Sequence, residues 1–272
     1  MYFSMDELGF ESAEKVKQIN GVEEKWRFVY DTAKSYGFEG VHFTPTMYEE
    51  FGLSMDSLPD YFQEFKLTLH PCGLWKVHTD EGCRRFDEYM ERCFGWATRH
   101  SMHDISIHPP YVEGITADER RASLANFDTL VAKWLAHAGQ LGITFSLETH
   151  VTGKYFLFDG LAEYTEFVDK HPGLGVLIDI SHNYYDGFTE NEIISIFASR
   201  NVTGLHISDA LRRGEAEFGD GTHLPIGKGG MDVAQIVRAF IHVPDLVGVF
   251  EVKCSDEDLK RSLARLSGLL RL

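Results

Sequence analysis

The chain is poor in several features that would assign it a function at once. It has four cysteines in 272 residues, at positions 72, 83, 93 and 254. None forms a C-x-x-C pair, so no disulfide framework and no cysteine zinc knuckle is expected, and the thiols read as reduced, packed or idle. No apolar run approaches the roughly 20 residues needed to span a bilayer. The opening segment MYFSMDELGF lacks a basic stretch followed by an apolar one, so no secretory leader is expected and the reading is a cytoplasmic protein with no membrane partner. Basic residues are few: 26 Lys and Arg stand against 42 Asp and Glu, a formal charge of −16. That balance disfavours a grip on nucleic acid by broad phosphate neutralisation, and it makes long-range steering of anions weak. Neither G-x-G-x-x-G nor G-x-x-x-x-G-K-[ST] occurs, so no nucleotide fingerprint is present. No Pro/Ser/Gly-rich linker, charge block or low-complexity run divides the chain, which predicts one domain over residues 1–272.

What is present is a repeated pattern. Six short apolar stretches each stop on a residue able to bind a metal: LTLH at His70, ISIH at His108, ITFSLE at Glu148, LGVLID at Asp179, VTGLH at His206 and LVGVFE at Glu251. Successive stops lie 27 to 45 residues apart. A solenoid has periods of this size, but no side-chain consensus repeats beyond the strand and its terminal residue, so strand–helix units fit better. The later apolar stretches are apolar on both faces, as expected for a buried parallel sheet.

Amphipathic segments alternate with these stretches. Residues 22–36 predict a helix stopped by Gly37. GFEGVHFTP is then a short strand ended by Pro45. Residues 80–100 predict a charged helix, and residues 117–140 a longer one, with Asp118 and Glu119 in a first turn that favours negative charge. Further helices are expected at about 159–170, 188–199, 231–241 and 255–271. With strands near Tyr2–Met5 and at 40–44, 66–70 and 104–108, the count reaches eight strand–helix units. That is the grammar of an α/β fold of the (β/α)8 TIM-barrel type, with an open doubly wound sheet as the alternative. In such a barrel the catalytic groups sit at the C-terminal ends of the strands, where the sequence puts all six stops.

Two carboxylates that each end a buried strand on one barrel face are costly to desolvate unless a cation joins them. Glu148 and Glu251 therefore read as metal ligands, although an ion pair with a base such as Lys253 would also satisfy a lone carboxylate. Asp179 and His182 share the segment D-I-S-H, in which the histidine can turn back over the strand end; a turn-capping Asp is the plainer reading. His206 ends its own strand, and Asp209 follows as an orienting group or a turn residue. His70 and His108, each followed by Pro, read as metal or substrate contacts. His223 lies in the loop GTHLPIGKGG, whose Lys228 and Gly227–Gly230 amides offer a phosphate cradle. Arg212 or Arg213 is placed to orient a substrate oxygen, and His42, His150 and Lys154 are candidate pocket liners. Carboxylate and imidazole without thiolate suit Mn, Zn, Mg, Co or Fe in a catalytic site.

The segments GFEGVHF, SLETH, LIDISHN, GLHISDALR, HLPIGKGGMD and VFEVK together resemble the xylose-isomerase-like TIM barrels, which include sugar isomerases and epimerases and the endonuclease-IV-type abasic-site endonucleases. The resemblance implies one divalent metal held by Glu148, Asp179, His206 and Glu251. It makes His182 and Arg212 substrate contacts, and it makes Glu148 and Glu251 the catalytic pair. The implied reaction is isomerisation or epimerisation of a small sugar or sugar phosphate by proton transfer through an enediolate, or dehydration of a cyclitol ketone begun by the same proton abstraction. Lys154 stands where the ketose 3-epimerases carry an acidic residue. The endonuclease branch implies up to three zinc ions on His70, His108, Glu148, Asp179, His182, His206, His223 and Glu251, but it carries an Asp where this chain has Gly221. With a charge of −16, phosphodiester cleavage in abasic DNA ranks second. Nothing in the sequence decides whether the chain forms an oligomer.

Overall fold

Helix and strand boundaries follow local signals. The computed structural model describes residues 1–6, 8–153, 155–216 and 221–270, so Lys154 and the expected helix end at Arg271 lie outside the described residues. The strands are β1 (Tyr2–Met5), β2 (Gly40–Phe43), β3 (Lys66–Leu69), β4 (Asp104–Ile107), β5 (Thr144–Glu148), β6 (Gly175–Asp179), β7 (Val202–Ile207) and β8 (Val247–Phe250). All neighbouring pairs are parallel, and β1 closes on β8 with Tyr2 opposite Val247 and Met5 opposite Phe250. The sheet is thus a closed eight-stranded barrel, and the open-sheet alternative is excluded.

The helices are α1 (Phe10–Gln18), α2 (Val22–Tyr36), α3 (Pro45–Glu50), α4 (Asp80–Arg99), α5 (Ala117–Leu141), α6 (Leu161–Lys170), α7 (Ile180–Tyr185), α8 (Glu190–Phe197), α9 (Val233–Phe240) and α10 (Asp256–Leu270). Gly37 ends α2 with φ 84°, in the left-handed region that a residue without Cβ enters freely. Thr116 and Glu119 form a reciprocal capping box at the start of α5. The short helices α1, α3 and α7 have no counterpart among the helices expected from the sequence. No helix among the described residues is long and apolar enough to cross a membrane.

Aromatic side chains fill the layer between barrel and helices. Trp26 of α2 is fully buried and stacks on Tyr48 at 5.4 Å, with Phe43 and Phe62 against its edges. The inside of the barrel is more polar. Ser4, His42, Thr68, Ser106 and Ser146 are all buried there on the strands. Ser146 donates to Asp104 Oδ2 at 3.1 Å and lies 2.8 Å from Thr203 Oγ1. Asp104, at the N-terminal end of β4, is buried, and desolvation pushes its pKa up to about 7, outweighing the Ser146 hydrogen bond and the charge of His206, which pull it down.

A carboxyl raised from 3.8 to about 7 binds its proton more tightly in the folded state than in the unfolded one. Its contribution is therefore complete below about pH 4 and is lost as the pH rises through 7. Replacing Asp104 with Asn should remove that loss. The variant is expected to be more stable than the parent at pH 8, by up to about 4 kcal/mol, with the gap closing towards pH 4. Urea denaturation at the two pH values measures it, and an equal gap at both would refute the assignment.

Candidate metal centre

The barrel brings all six strand-end residues to one mouth. Glu148 and Asp179 are the last residues of β5 and β6, His206 lies within β7 opposite Asp179, and Glu251 follows β8 directly. His206 Nδ1 lies 2.7 Å from Glu251 Oε2, 3.2 Å from Glu148 Oε1 and 3.8 Å from Asp179 Oδ2. One donor atom from each of these four residues falls within 4.8 Å of every other.

The residues pass a direct test for an ion. Glu148 Oε2, Asp179 Oδ2, His206 Nδ1 and Glu251 Oε2 are buried and make no well-formed hydrogen bond; they lie against one another and against His70, His108 and His182. Buried polar atoms are normally paired, so three carboxylates gathered on one imidazole without well-formed hydrogen bonds fit a place for a cation. Asp179 divides its two oxygens. Oδ1 accepts from the His182 amide at 2.8 Å and from Ser181 Oγ at 2.8 Å, capping α7, while Oδ2 remains aimed at the cluster. Thr149 and Asn183, which the sequence reading missed, fix this arrangement. Thr149 Oγ1 accepts from the Asp179 amide at 2.9 Å, and Asn183 Nδ2 donates to the Asp179 carbonyl at 2.7 Å.

The electrostatics agree. Burial alone would raise the Glu148 pKa, but His108 and His206 hold it well below the usual carboxylate range. Burial opposes Glu251 in the same way, and His223 and His206 outweigh it. For His206, burial lowers the pKa while Glu148 and Glu251 raise it well above the ordinary imidazole value. Below it, His42 is 3.4 Å away through Nε2 and hydrogen-bonds Thr68 Oγ1 at 2.6 Å. Burial, then His70 and His206, depress its pKa strongly and keep it neutral.

Two further groups flank the centre. His70 Nε2 and His108 Nε2 are 3.1 Å apart and lie 3.2 and 2.8 Å from Glu148 Oε2. On the other side, His182 Nε2 lies 3.1 Å from His223 Nε2, and His182 Nδ1 lies 3.4 Å from Asp179 Oδ2. His223 has φ 54°, a left-handed conformation that costs a non-glycine residue about 1 kcal/mol or more. Above these groups opens a cavity of about 560 Å3. His150 and Phe156 form one wall, with ring centroids 3.6 Å apart, and Glu251, Arg213 and Lys253 line the remainder.

Two expectations are corrected. Arg212 does not reach the mouth: its Nη1 donates to the Tyr184 and Phe188 carbonyls at 3.0 and 2.9 Å, and its guanidinium stacks 3.7 Å above the Tyr184 ring. The arginine at the cavity is Arg213, which donates to the Thr152 carbonyl at 3.0 Å and pairs with Asp186. The glycine-rich loop is no phosphate cradle either. Asp209 Oδ2 accepts the amides of Gly227 and Gly229 at 2.8 and 3.0 Å, and Oδ1 accepts those of Ala210 and Met231 at 2.8 and 3.2 Å. The Lys228 and Gly230 amides go to the Pro225 and Ala210 carbonyls. A Cβ on Gly229 would meet the Ala210 carbonyl oxygen at 2.3 Å, so only glycine fits this approach.

The fold recurs in solved structures. A D-tagatose 3-epimerase-like protein superposes with a TM-score of 0.74 over 99% of this chain and 97% of its own, at 17% identity. An IOLI protein with a bound zinc atom gives 0.72 at 13% identity, covering 99% and 98%. A probable 3-DHS dehydratase, AsbF, from Bacillus anthracis gives 0.70 at 14% identity, covering 98% and 99%. No curated protein sequence matches the chain. The family model for the xylose isomerase-like TIM barrel matches residues 30–268, and the chain belongs to that family.

Proposed function

We propose that the protein is a metal-dependent isomerase or epimerase of a small sugar or sugar phosphate. One observation carries this reading: two glutamates from different strands converge on His206, at 3.2 and 2.7 Å, beneath a cavity of small-molecule size. Glu148, Asp179, His206 and Glu251 would hold the ion. Once bound, it supplies Lewis acidity to a carbonyl and its neighbouring hydroxyl, worth several kcal/mol.

The glutamates differ in access. Glu251 is 17% exposed and lines the cavity, whereas Glu148 is 1% exposed beneath His70 and His108. Both are held ionised, as a base must be. In the proposed reaction one takes the proton beside the carbonyl and the other returns a proton on the opposite side, with Glu251 better placed for first contact. His182, whose pKa burial lowers but Asp179 and Glu148 raise on balance, stands at the cavity as a donor to a substrate oxygen. The same opening step would serve a dehydratase of a cyclitol ketone, and one structural neighbour is described as a probable dehydratase.

The flanking histidine pairs favour one rival reading, a multi-metal phosphodiesterase, because each pair adjoins a carboxylate of the central group. The acidic charge and the confined cavity weigh against a duplex substrate. Ion count separates the two: three tightly held zinc ions per chain would sink the isomerase reading.

Two measurements test the proposal. Metal-loaded protein should exchange the α-proton of at least one ketose or ketose phosphate with D2O, followed by NMR. Glu251→Gln and Glu148→Gln should each slow that exchange about 10²–10⁴-fold. A panel left unexchanged by the loaded parent protein rules the reaction out. Separately, Mn²⁺ or Zn²⁺ at a hundred times its Kd should stabilise the fold by about 2.7 kcal/mol. His206→Ala should abolish that gain in a thermal melt, and a variant still stabilised as strongly as the parent would remove His206 from the ligand set.

A further inference from the structure

His42 stands within β2 and has no part in the function proposed above. It is fully buried and does not line the cavity, so it does not meet a substrate there. Its place is nevertheless closely fixed. The β2–β3 register sets His42 directly opposite Thr68, and His42 Nδ1 lies 2.6 Å from Thr68 Oγ1. Its ring stacks on His70 with centroids 5.1 Å apart, and it meets the His206 ring edge-on at 5.4 Å. The second nitrogen, Nε2, lies 3.4 Å from His206 Nε2.

Two ring nitrogens in contact share one proton, and the ligand set decides which of them carries it. His206 Nδ1 faces Glu251, Glu148 and Asp179. An imidazole that gives its Nδ1 lone pair to an ion keeps its proton on Nε2. In a fully buried ring that N–H needs an acceptor, and His42 Nε2 is the atom placed to accept it. His42 then carries its own proton on Nδ1, where Thr68 Oγ1 accepts it. We infer that His42 is a positioning residue for ion binding: its bare Nε2 fixes the tautomer and orientation of His206, and Thr68 fixes those of His42 in turn. A ligating histidine is usually held by a carboxylate, a carbonyl or water. A carboxylate here would add another buried negative charge to the three already gathered on His206, and a neutral imidazole supplies the acceptor without that cost. The inference rests on the metal reading of the barrel mouth and not on the isomerase reaction.

Zn²⁺-loaded full-length protein with ¹⁵N-labelled histidine tests it by long-range proton–nitrogen NMR, with the His42 signals assigned by their loss in His42→Gln. The expected pattern is His206 protonated on Nε2, and His42 protonated on Nδ1 with Nε2 bare. A proton on His42 Nε2 overturns the inference and leaves the central site standing. Affinity gives an independent measure. His42→Leu fills similar space without an acceptor and should weaken Zn²⁺ binding about 10–100-fold in competition with a chromophoric chelator. His42→Gln, whose side-chain oxygen accepts the same proton, should recover most of that loss. Equal losses in the two variants would assign His42 to packing alone, and parent-like binding by His42→Leu would remove it from the ion's support; either result overturns the inference. A parent protein that binds no Zn²⁺ overturns the metal reading as well. Should His42→Leu fail to fold, the tautomer pattern of the parent decides.

Discussion

Three carboxylates that would repel one another are held within reach of a single imidazole at the dry end of a barrel. Glu148 and Asp179 are essentially fully buried, and Glu251 faces a confined cavity. Such a group is tenable only because the closed sheet fixes the strand ends, and because four histidines surround the charge on the remaining sides. The raised pKa of His206 and the depressed values of Glu148 and Glu251 express one balance, in which attraction to imidazole exceeds the cost of burial. A divalent cation held by these four residues would replace that attraction with a stronger one.

The polar interior follows from the same constraint. An ordinary barrel interior is filled by layers of branched apolar residues. Here Ser106 orients His70 and Thr68 orients His42, so the strands hold the histidine rings from beneath. The lower end of the barrel bears the remaining cost, in the buried carboxyl of Asp104, whose pKa desolvation raises. Hydrophobic stability comes from outside the barrel wall, where Trp26, Phe43, Tyr48 and Phe62 interlock.

Much of this was legible in the sequence because strand ends and ligands coincide. The six stops could be read as six strands, and the parallel topology carried their side chains to one mouth. The parts that could not be read depend on where a side chain turns. Arg212 and Arg213 are adjacent and chemically alike, and only the stacking of Arg212 on Tyr184 separates their roles. The Gly227–Gly230 amides looked open because nothing in the sequence joins them to Asp209, eighteen residues upstream of Gly227. Thr149 and Asn183 act through hydrogen bonds to main-chain atoms of Asp179, which no pattern of residue types announces.

The two oxygens of Asp179 serve two different structures, one capping a helix and the other facing the charge cluster. Catalytic side chains are often loosely supported, so that chemistry can change while the scaffold persists. Here a single carboxylate is common to both. A chain that drifted at this position would lose the start of α7 and a carboxylate of the charge cluster in one step, and with them the placement of His182 on the first turn of that helix. Adaptation of this barrel to a new substrate is thereby directed away from the strand end and towards the outer wall of the cavity, where Arg213 and Lys253 stand apart from the charges beneath.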